Sequence, residues 1–181
     1  MKILLTTLNS KYVHANLALK YLYTVVAGEY SDVEAREFTI NNDPHYVYGE
    51  ILRGGYDMVC FSCYIWNIEQ IRKLAADLKM ACPELLLTAG GPEASSRGPA
   101  FARENPWVDF VLRGEGEYPF YRLCQVLHEP QRALETVPGL IYRQDGKIYV
   151  NAEIEPIDFN AAPFPYSMLD CEPDKVVYYE S

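Results

Sequence analysis

The chain opens on an apolar run at residues 3 to 7, crosses the polar stretch Asn9-Ser10-Lys11-Tyr12-Val13-His14, and then changes period. Leu17, Leu19, Leu22, Val25 and Val26 fall roughly on one face of a helix spanning residues 15 to 27, and Gly28 marks its end. The same alternation recurs. Residues 33 to 40 predict a strand, 44 to 52 a helix closed by Gly54-Gly55, and 57 to 62 a second, very apolar strand. A helix near 68 to 80, a strand at 85 to 89 running into Gly90-Gly91, a short helix near 98 to 104, a strand at 108 to 112 and a helix at 118 to 127 complete the series. Five strands thus alternate with helices.

Near-continuous apolar strands such as Met58-Val59-Cys60-Phe61 and Leu85-Leu86-Leu87 are expected where helices cover both faces of a parallel sheet. The fold class read from this pattern is α/β: a flavodoxin-like, doubly wound, five-stranded parallel sheet with helices on both faces. Right-handed crossovers in such a sheet place ligands at the carboxyl ends of the strands, near a topological switch point. After residue 137 the pattern changes. Leu140-Ile141-Tyr142-Arg143 and Lys147-Ile148-Tyr149-Val150 flank Gln144-Asp145-Gly146, a hairpin signal, because Asp-Gly readily takes the positive φ angles of a tight turn. From 151 onward Pro156, Pro163, Pro165 and Pro173 predict an extended connector, and residues 176 to 181 read as strand-like. The organisation expected is an α/β domain over 1–137, then a hairpin and linker over 138–181.

Composition narrows the function classes. Hydrophobic residues at 49% and charged residues at 23% describe a globular chain that folds. A formal net charge of −9 argues against a nucleic-acid partner held by a broad basic surface, although backbone amides can still bind a single phosphate. The short apolar start is too brief for a membrane span or a signal-peptide core, so no membrane association and a cytoplasmic location are expected. Five cysteines, odd in number and scattered, form no disulfide framework and are expected as reduced thiols.

Four loops fall at predicted strand ends and would open on one edge of a parallel sheet: residues 8 to 14, Ser62-Cys63-Tyr64-Ile65-Trp66-Asn67, Gly90-Gly91-Pro92-Glu93-Ala94-Ser95 and Arg113-Gly114-Glu115-Gly116-Glu117. Read singly, Gly90-Gly91-Pro92 is equally a sharp turn out of a buried strand, and Gly114 and Gly116 a helix start. Gly114-Glu115-Gly116 lacks the third glycine of a dinucleotide fingerprint and follows the fifth strand, and no Gly-Lys-Ser phosphate loop occurs. A phosphorylated receiver domain is excluded by Leu8-Asn9, Ser62-Cys63 and Arg113 at the positions that would need acidic residues, an aspartate and a lysine. Cys60 and Cys63 have CxxC spacing but point to opposite faces of a strand, so Cys60 reads as core and Cys63 as able to face a ligand. No cysteine cluster here can hold an iron-sulfur centre. His14 is the histidine at the ligand edge, and Tyr12, Tyr64, Trp66, Tyr118 and Tyr121 supply aromatic faces that suit a large planar ligand or a core equally well.

Together these four loops resemble the N-terminal cobalamin-binding domain of class B radical-SAM proteins, nearest to the anaerobic magnesium-protoporphyrin IX monomethyl ester oxidative cyclase-like and methyltransferase-like members. The resemblance covers about residues 1 to 130 well and the connector more loosely. It implies a domain that presents cobalamin to a radical-SAM domain in cis, for methyl transfer or oxidative ring formation. S-adenosylmethionine and a [4Fe-4S] cluster would belong to that domain, which this chain lacks, so the fragment alone would bind without turning over. The residues implied to line the cofactor are Asn9, Ser10, His14, Ser62, Cys63, Tyr64, Gly90, Gly91, Glu93, Gly114, Glu115 and Glu117. The cofactor's nucleotide tail would enter between the first and third strands over Gly90 and Gly91, with its phosphate on backbone amides near Ser62, Gly91 or Gly116. The Asp-x-His-x-x-Gly motif that replaces cobalt's lower axial base elsewhere fails here: Tyr12 precedes His14 by two residues and Leu17 follows by three. Cobalamin would therefore be base-off with no histidine ligand. Two rival readings keep the fold: a cofactor-free structural or substrate-recruiting module, and a flavodoxin-type or nucleotide-binding enzyme.

Overall fold

The computed structural model describes residues 1–152 and Val176; the remaining connector expectations, Cys171 included, lie outside the described residues. Five strands run parallel: β1 Ile3–Asn9, β2 Val33–Thr39, β3 Met58–Ser62, β4 Leu86–Gly90 and β5 Phe110–Leu112. Every residue of β1 and β3 is buried, as a strand covered on both faces requires. Between and after the strands come α1 Leu17–Val26, α2 Pro44–Gly54, α3 Ile68–Ala81, α4 Pro92–Arg97, α5 Pro99–Glu104 and α6 Glu117–His128.

Local chemistry fixes the helix ends. Asn16 caps α1, its side chain accepting the Leu19 amide at 3.1 Å, and Asp43 caps α2 ahead of Pro44, whose fixed φ suits a first helical turn. Gly55 closes α2 in the left-handed conformation. Residues 90 to 95 are expected as loop, yet α4 forms from Pro92. Proline opens both α4 and α5, and Gly98, at φ +45°, breaks them apart, so neither piece is long enough to show a clear period.

The five-strand expectation is corrected to seven strands. The hairpin strands β6 Leu140–Gln144 and β7 Lys147–Val150 join the sheet antiparallel to β5, giving the order β2-β1-β3-β4-β5-β6-β7. The hairpin turns on Asp145 and Gly146, both at positive φ. Leu140 and Ile141 are fully buried, so residues placed with the linker in sequence contribute core.

Alternation sorts the strands onto two cores. Leu4, Leu8, Val59, Phe61, Cys63, Leu87 and Ala89 pack with α2, α3, α4 and α5. Ile3, Leu5, Met58, Cys60, Phe110 and Leu112 pack with α1 and α6 on the other face. The sheet is therefore doubly wound, and because the chain moves from β1 outward to β2 and then back across to β3, the switch point lies between β1 and β3. Among the described residues no helix is long and apolar enough to cross a membrane.

Candidate functional site

At the carboxyl edge of β1 and β3 lies an open cleft of about 480 Å³, lined by Asn9, Ser10, His14 to Ala18, Tyr21, Tyr64, Trp66 and Glu117. One wall is the β1–α1 loop with the first turns of α1. The opposite wall is the β3–α3 loop, and Glu117 at the start of α6 closes the end.

Polar side chains lock both walls. Asn9 Nδ2 donates to the His14 carbonyl at 2.7 Å and to Glu37 Oε2 at 2.5 Å, and Glu37 also accepts the Asn16 amide at 3.1 Å. Asn16 Nδ2 reaches across to the Tyr64 hydroxyl at 3.3 Å, joining one wall to the other. Asn67, fully buried, donates to Thr7 Oγ1, the Leu8 carbonyl and the Ser62 carbonyl, and its Oδ1 accepts the Tyr64 amide at 2.8 Å. A single side chain thus ties the ends of β1 and β3 to the loop carrying Tyr64 and Trp66. Those two rings stack at 4.5 Å, with planes 7° apart, and Trp66 stays 47% exposed. Tyr12, Ile65 and Tyr118 are also exposed, so the edge around the cleft is an apolar rim.

Of the residues expected from sequence, Asn9, Ser10, His14, Tyr64 and Glu117 come together in this cleft. Ser62, Cys63, Gly90, Gly91, Glu93, Gly114 and Glu115 are not among its lining residues. Ser62 is buried at the end of β3, and its register partner is Gly90. A Cβ at Gly90 would meet nothing within 4 Å, whereas one at Gly91, with φ at +84°, would stand 2.7 Å from the Cys63 carbonyl oxygen. Gly90 thus faces open space, and Gly91 is demanded by the protein's own backbone. Glu93 is half-buried in the first turn of α4, with its amide donating to the Cys63 carbonyl at 3.2 Å. Gly114 also faces open space, its amide donating to Ser95 Oγ at 2.9 Å; Glu115 follows it, exposed.

The expectation that the Cys63 thiol faces a ligand is corrected. Cys63 shares the parity of Val59 and Phe61, lies fully inside the α2–α5 core, and its Sγ points to the Phe61 carbonyl at 3.7 Å. Burial pushes this thiol up to about 12, with the nearby Glu93 carboxylate adding to the rise and Arg72 opposing it, so it stays protonated. Cys60 is buried on the other face, as alternation predicts. Asn16, Tyr21, Glu37 and Asn67 were missed as site residues. Asn16 had a readable signal, an asparagine directly before an apolar helical run. Asn67 stands in the same position before α3, but its bonds to β1, like those of Glu37 to Asn9 and Asn16, reach partners 21 to 60 residues away in sequence and had no local signal. Among the described residues no three His, Cys, Asp or Glu side chains stand together to hold a metal ion.

Residues 3–124 match the family model described as the B12 binding domain. The chain belongs to this family. Two curated relatives align with part of the chain: the cobalamin-dependent radical SAM methyltransferase TokK of Streptomyces tokunonensis, 34% identical over 88 residues, and the 2-(S-pantetheinyl)-carbapenam-3-carboxylate methyltransferase of Streptantibioticus cattleyicolor, 39% identical over 87. These alignments take in 49% and 48% of this chain but 13% of each relative, so the chain spans a small part of the proteins it matches. Two solved structures share its fold. OxsB, a cobalamin-dependent S-adenosylmethionine radical enzyme with aqua-cobalamin and S-adenosylmethionine bound, superposes at TM-score 0.70 with 16% identity, over 89% of this chain and 23% of its own. The radical S-adenosylmethionine methyltransferase TsrM from Kitasatospora setae superposes at 0.68 with 18% identity, over 84% and 30%.

Proposed function

We propose that the domain binds cobalamin at the carboxyl edge of the sheet, base-off and without a histidine ligand, and presents it to a radical-SAM domain of the same protein for methyl transfer. The observation that carries this reading is the open α1/α6 side of the β1/β3 switch point. Counting by alternation from the core positions on that face, Thr7, Ser62, Thr88 and Gly90 turn the same way. These are small residues where large ones would otherwise fill the sheet. Gly90 fronts empty space, and the buried Thr88 Oγ1 has no hydrogen-bond partner beyond the Cys60 thiol set across the ladder from it.

The residues present fit the group. A cleft of about 480 Å³ falls within the range of drug-sized ligand sites, ~300–1,000 Å³. Cobalamin is larger, so the cleft and the space over Gly90 would take its nucleotide tail while the macrocycle lies on the exposed rim of Tyr12, Ile65, Trp66 and Tyr118. Glu117 begins α6 at the end of the cleft, so the positive end of that helix favours the tail's phosphate there. His14 stands in the wall with its amide donating to the Lys11 carbonyl and its carbonyl accepting from Asn9. It is held there as part of the loop, outside any Asp-x-His-x-x-Gly arrangement that would orient it toward cobalt.

When bound, the corrinoid supplies cobalt–carbon chemistry; this chain's residues bind its tail, orient its plane and exclude water beneath it. The similarity to TokK and the carbapenam methyltransferase favours methyl transfer over oxidative ring formation for the full-length protein. S-adenosylmethionine and the [4Fe-4S] cluster then belong to the partner domain.

The test is visible absorption of the chain after mixing with hydroxocobalamin and gel filtration. A stoichiometric corrin band co-eluting with protein is expected, and its absence sinks the reading. After reduction to the cobalt(II) form, the electron paramagnetic resonance spectrum should lack splitting from an axial nitrogen, and His14→Ala should leave it unchanged. A nitrogen-split spectrum that His14→Ala abolishes would overturn the base-off, histidine-free assignment.

A further inference from the structure

The chain leaves β7 beside the carboxyl end of β5, where the Ala152 carbonyl accepts the Gly139 amide and the Asn151 carbonyl accepts Arg113 Nη2, each at 2.8 Å. The chain is next described at Val176, near the opposite end of the same carboxyl edge. There the Val176 amide donates to the Val13 carbonyl at 2.7 Å, and Val176 pairs in parallel with His14.

Val13 lies in the β1–α1 loop, whose Asn9, Ser10, His14 and Ala15 form a wall of the cleft. That wall is held from inside by Asn9 on the His14 carbonyl and by Glu37 on the Asn16 amide. Its outer stretch faces solvent, with Tyr12 67% and Val13 41% exposed. Segments with few buried contacts open locally at low cost, so one backbone hydrogen bond there changes the open fraction measurably.

We propose that the Val176 amide is a clasp on the β1–α1 loop, linking the cleft to the chain at residue 176. A ligand that needs the wall in place binds more tightly with the clasp closed. By thermodynamic reciprocity the ligand must then close the clasp by the same factor. The device rests on the cobalamin reading for the identity of its ligand but not for its existence. One exposed backbone hydrogen bond corresponds to about a two- to ten-fold effect.

The experiment compares wild type, Val176→Pro and Val176→Ala in the 181-residue chain. Proline removes the amide donor and keeps an apolar side chain; alanine keeps the donor and removes the side chain. Hydrogen exchange over residues 8 to 16 in the ligand-free protein should speed up about two- to ten-fold in Val176→Pro and stay near wild type in Val176→Ala. Hydroxocobalamin affinity should fall by a matching factor in the proline variant alone, and hydroxocobalamin should slow exchange at the Val176 amide of wild type. Unchanged loop exchange in Val176→Pro overturns the clasp. A loosened loop with unchanged affinity overturns the linkage. Should wild type bind no corrinoid, the cofactor reading fails, while the ligand-free exchange data still decide the clasp.

Discussion

Gly90 and Gly91 are adjacent and chemically identical, yet the structure assigns them opposite roles, and substituting each in turn separates stability from binding. Gly91 has φ 84° and ψ 176°, a region essentially reserved for glycine, and forcing an alanine there costs ~1–3 kcal/mol. Its Cβ would also stand 2.7 Å from the Cys63 carbonyl oxygen and 3.0 Å from the Cys63 nitrogen, both backbone atoms that cannot swing aside. Overpacking of this kind adds ~1–3 kcal/mol. Gly91→Ala should therefore lose about 2–6 kcal/mol, or roughly 5–20 °C in Tm at ~2–4 °C per kcal/mol for a domain of this size. Gly90 is not at positive φ, and a Cβ there meets nothing within 4 Å. Gly90→Ala should be neutral or more stable by up to ~1 kcal/mol through the unfolded chain. Gly90→Leu should keep its fold while projecting a side chain into the space assigned to the cofactor's tail, cutting hydroxocobalamin affinity by ten-fold or more. Thermal melts by circular dichroism and titrations followed by visible absorption measure the two quantities. A Gly91→Ala melt within about 2 °C of wild type would refute the contact argument. A Gly90→Leu chain that binds as wild type does would remove Gly90 from the site.

Three further predictions rest on the buried polar groups and thiols. Asn67→Ala leaves the Leu8 carbonyl and the Tyr64 amide without their side-chain partner while Thr7 Oγ1 still donates to the Ser62 carbonyl, and at ~1–3 kcal/mol per unsatisfied group should cost about 2–6 kcal/mol in urea unfolding; a loss under 1 kcal/mol would show that water replaces the side chain. Burial raises the thiols of Cys63 and Cys124 to about 12 and that of Cys60 well above its ordinary value. Groups raised in the folded state stabilise it fully below the unfolded thiol value near 9 and lose that contribution as pH climbs toward 12, so stability should fall above pH 9 by up to ~1.4 kcal/mol per pH unit per thiol. Peptide mapping after iodoacetamide at pH 8 should find Cys82, the exposed member of these four, alkylated and the other three protected; rapid labelling of Cys63 in the folded chain would contradict its burial.

How far the sequence revealed the molecule depended on the range of the interaction that decides each feature. Helices and strands from β1 to α6 emerged where their periods are long and their ends punctuated, as at Asp43-Pro44 and Gly55. The pair α4 and α5 blurred because each has six residues, too few for a period. The hairpin was legible from Asp145-Gly146, but its place in the sheet was not: nothing local says that Leu140 will pair with Leu112. Parity could have corrected the reading of Cys63, since it continues the alternation of Val59 and Phe61 into the core. The site was half legible. Asn9, Ser10, His14 and Tyr64 sit on strand-end loops that topology gathers by rule, whereas Glu37, and Asn67 in its bonds to Thr7 and Leu8, act through partners that only the folded chain brings near.

The asymmetry of the two sheet faces is what makes a ligand the physical explanation of the carboxyl edge. On the α2–α5 face, apolar side chains continue to the strand ends, with Leu8, Cys63 and Ala89 all buried. On the α1/α6 face, the corresponding positions are Thr7, Ser62 and Gly90, which come from three strands separated in sequence and made adjacent by the fold. A domain selected for stability alone would gain by filling that corner, since each additional buried methylene contributes ~0.8 kcal/mol. Leaving it small forgoes that gain in the free domain, and a ligand that binds the folded state restores stability in proportion to the logarithm of its concentration over its Kd. The same corner that weakens the unliganded fold is then where cobalamin should raise its melting temperature, and Gly90→Ala should reduce that rise while leaving the unliganded melt unchanged or higher.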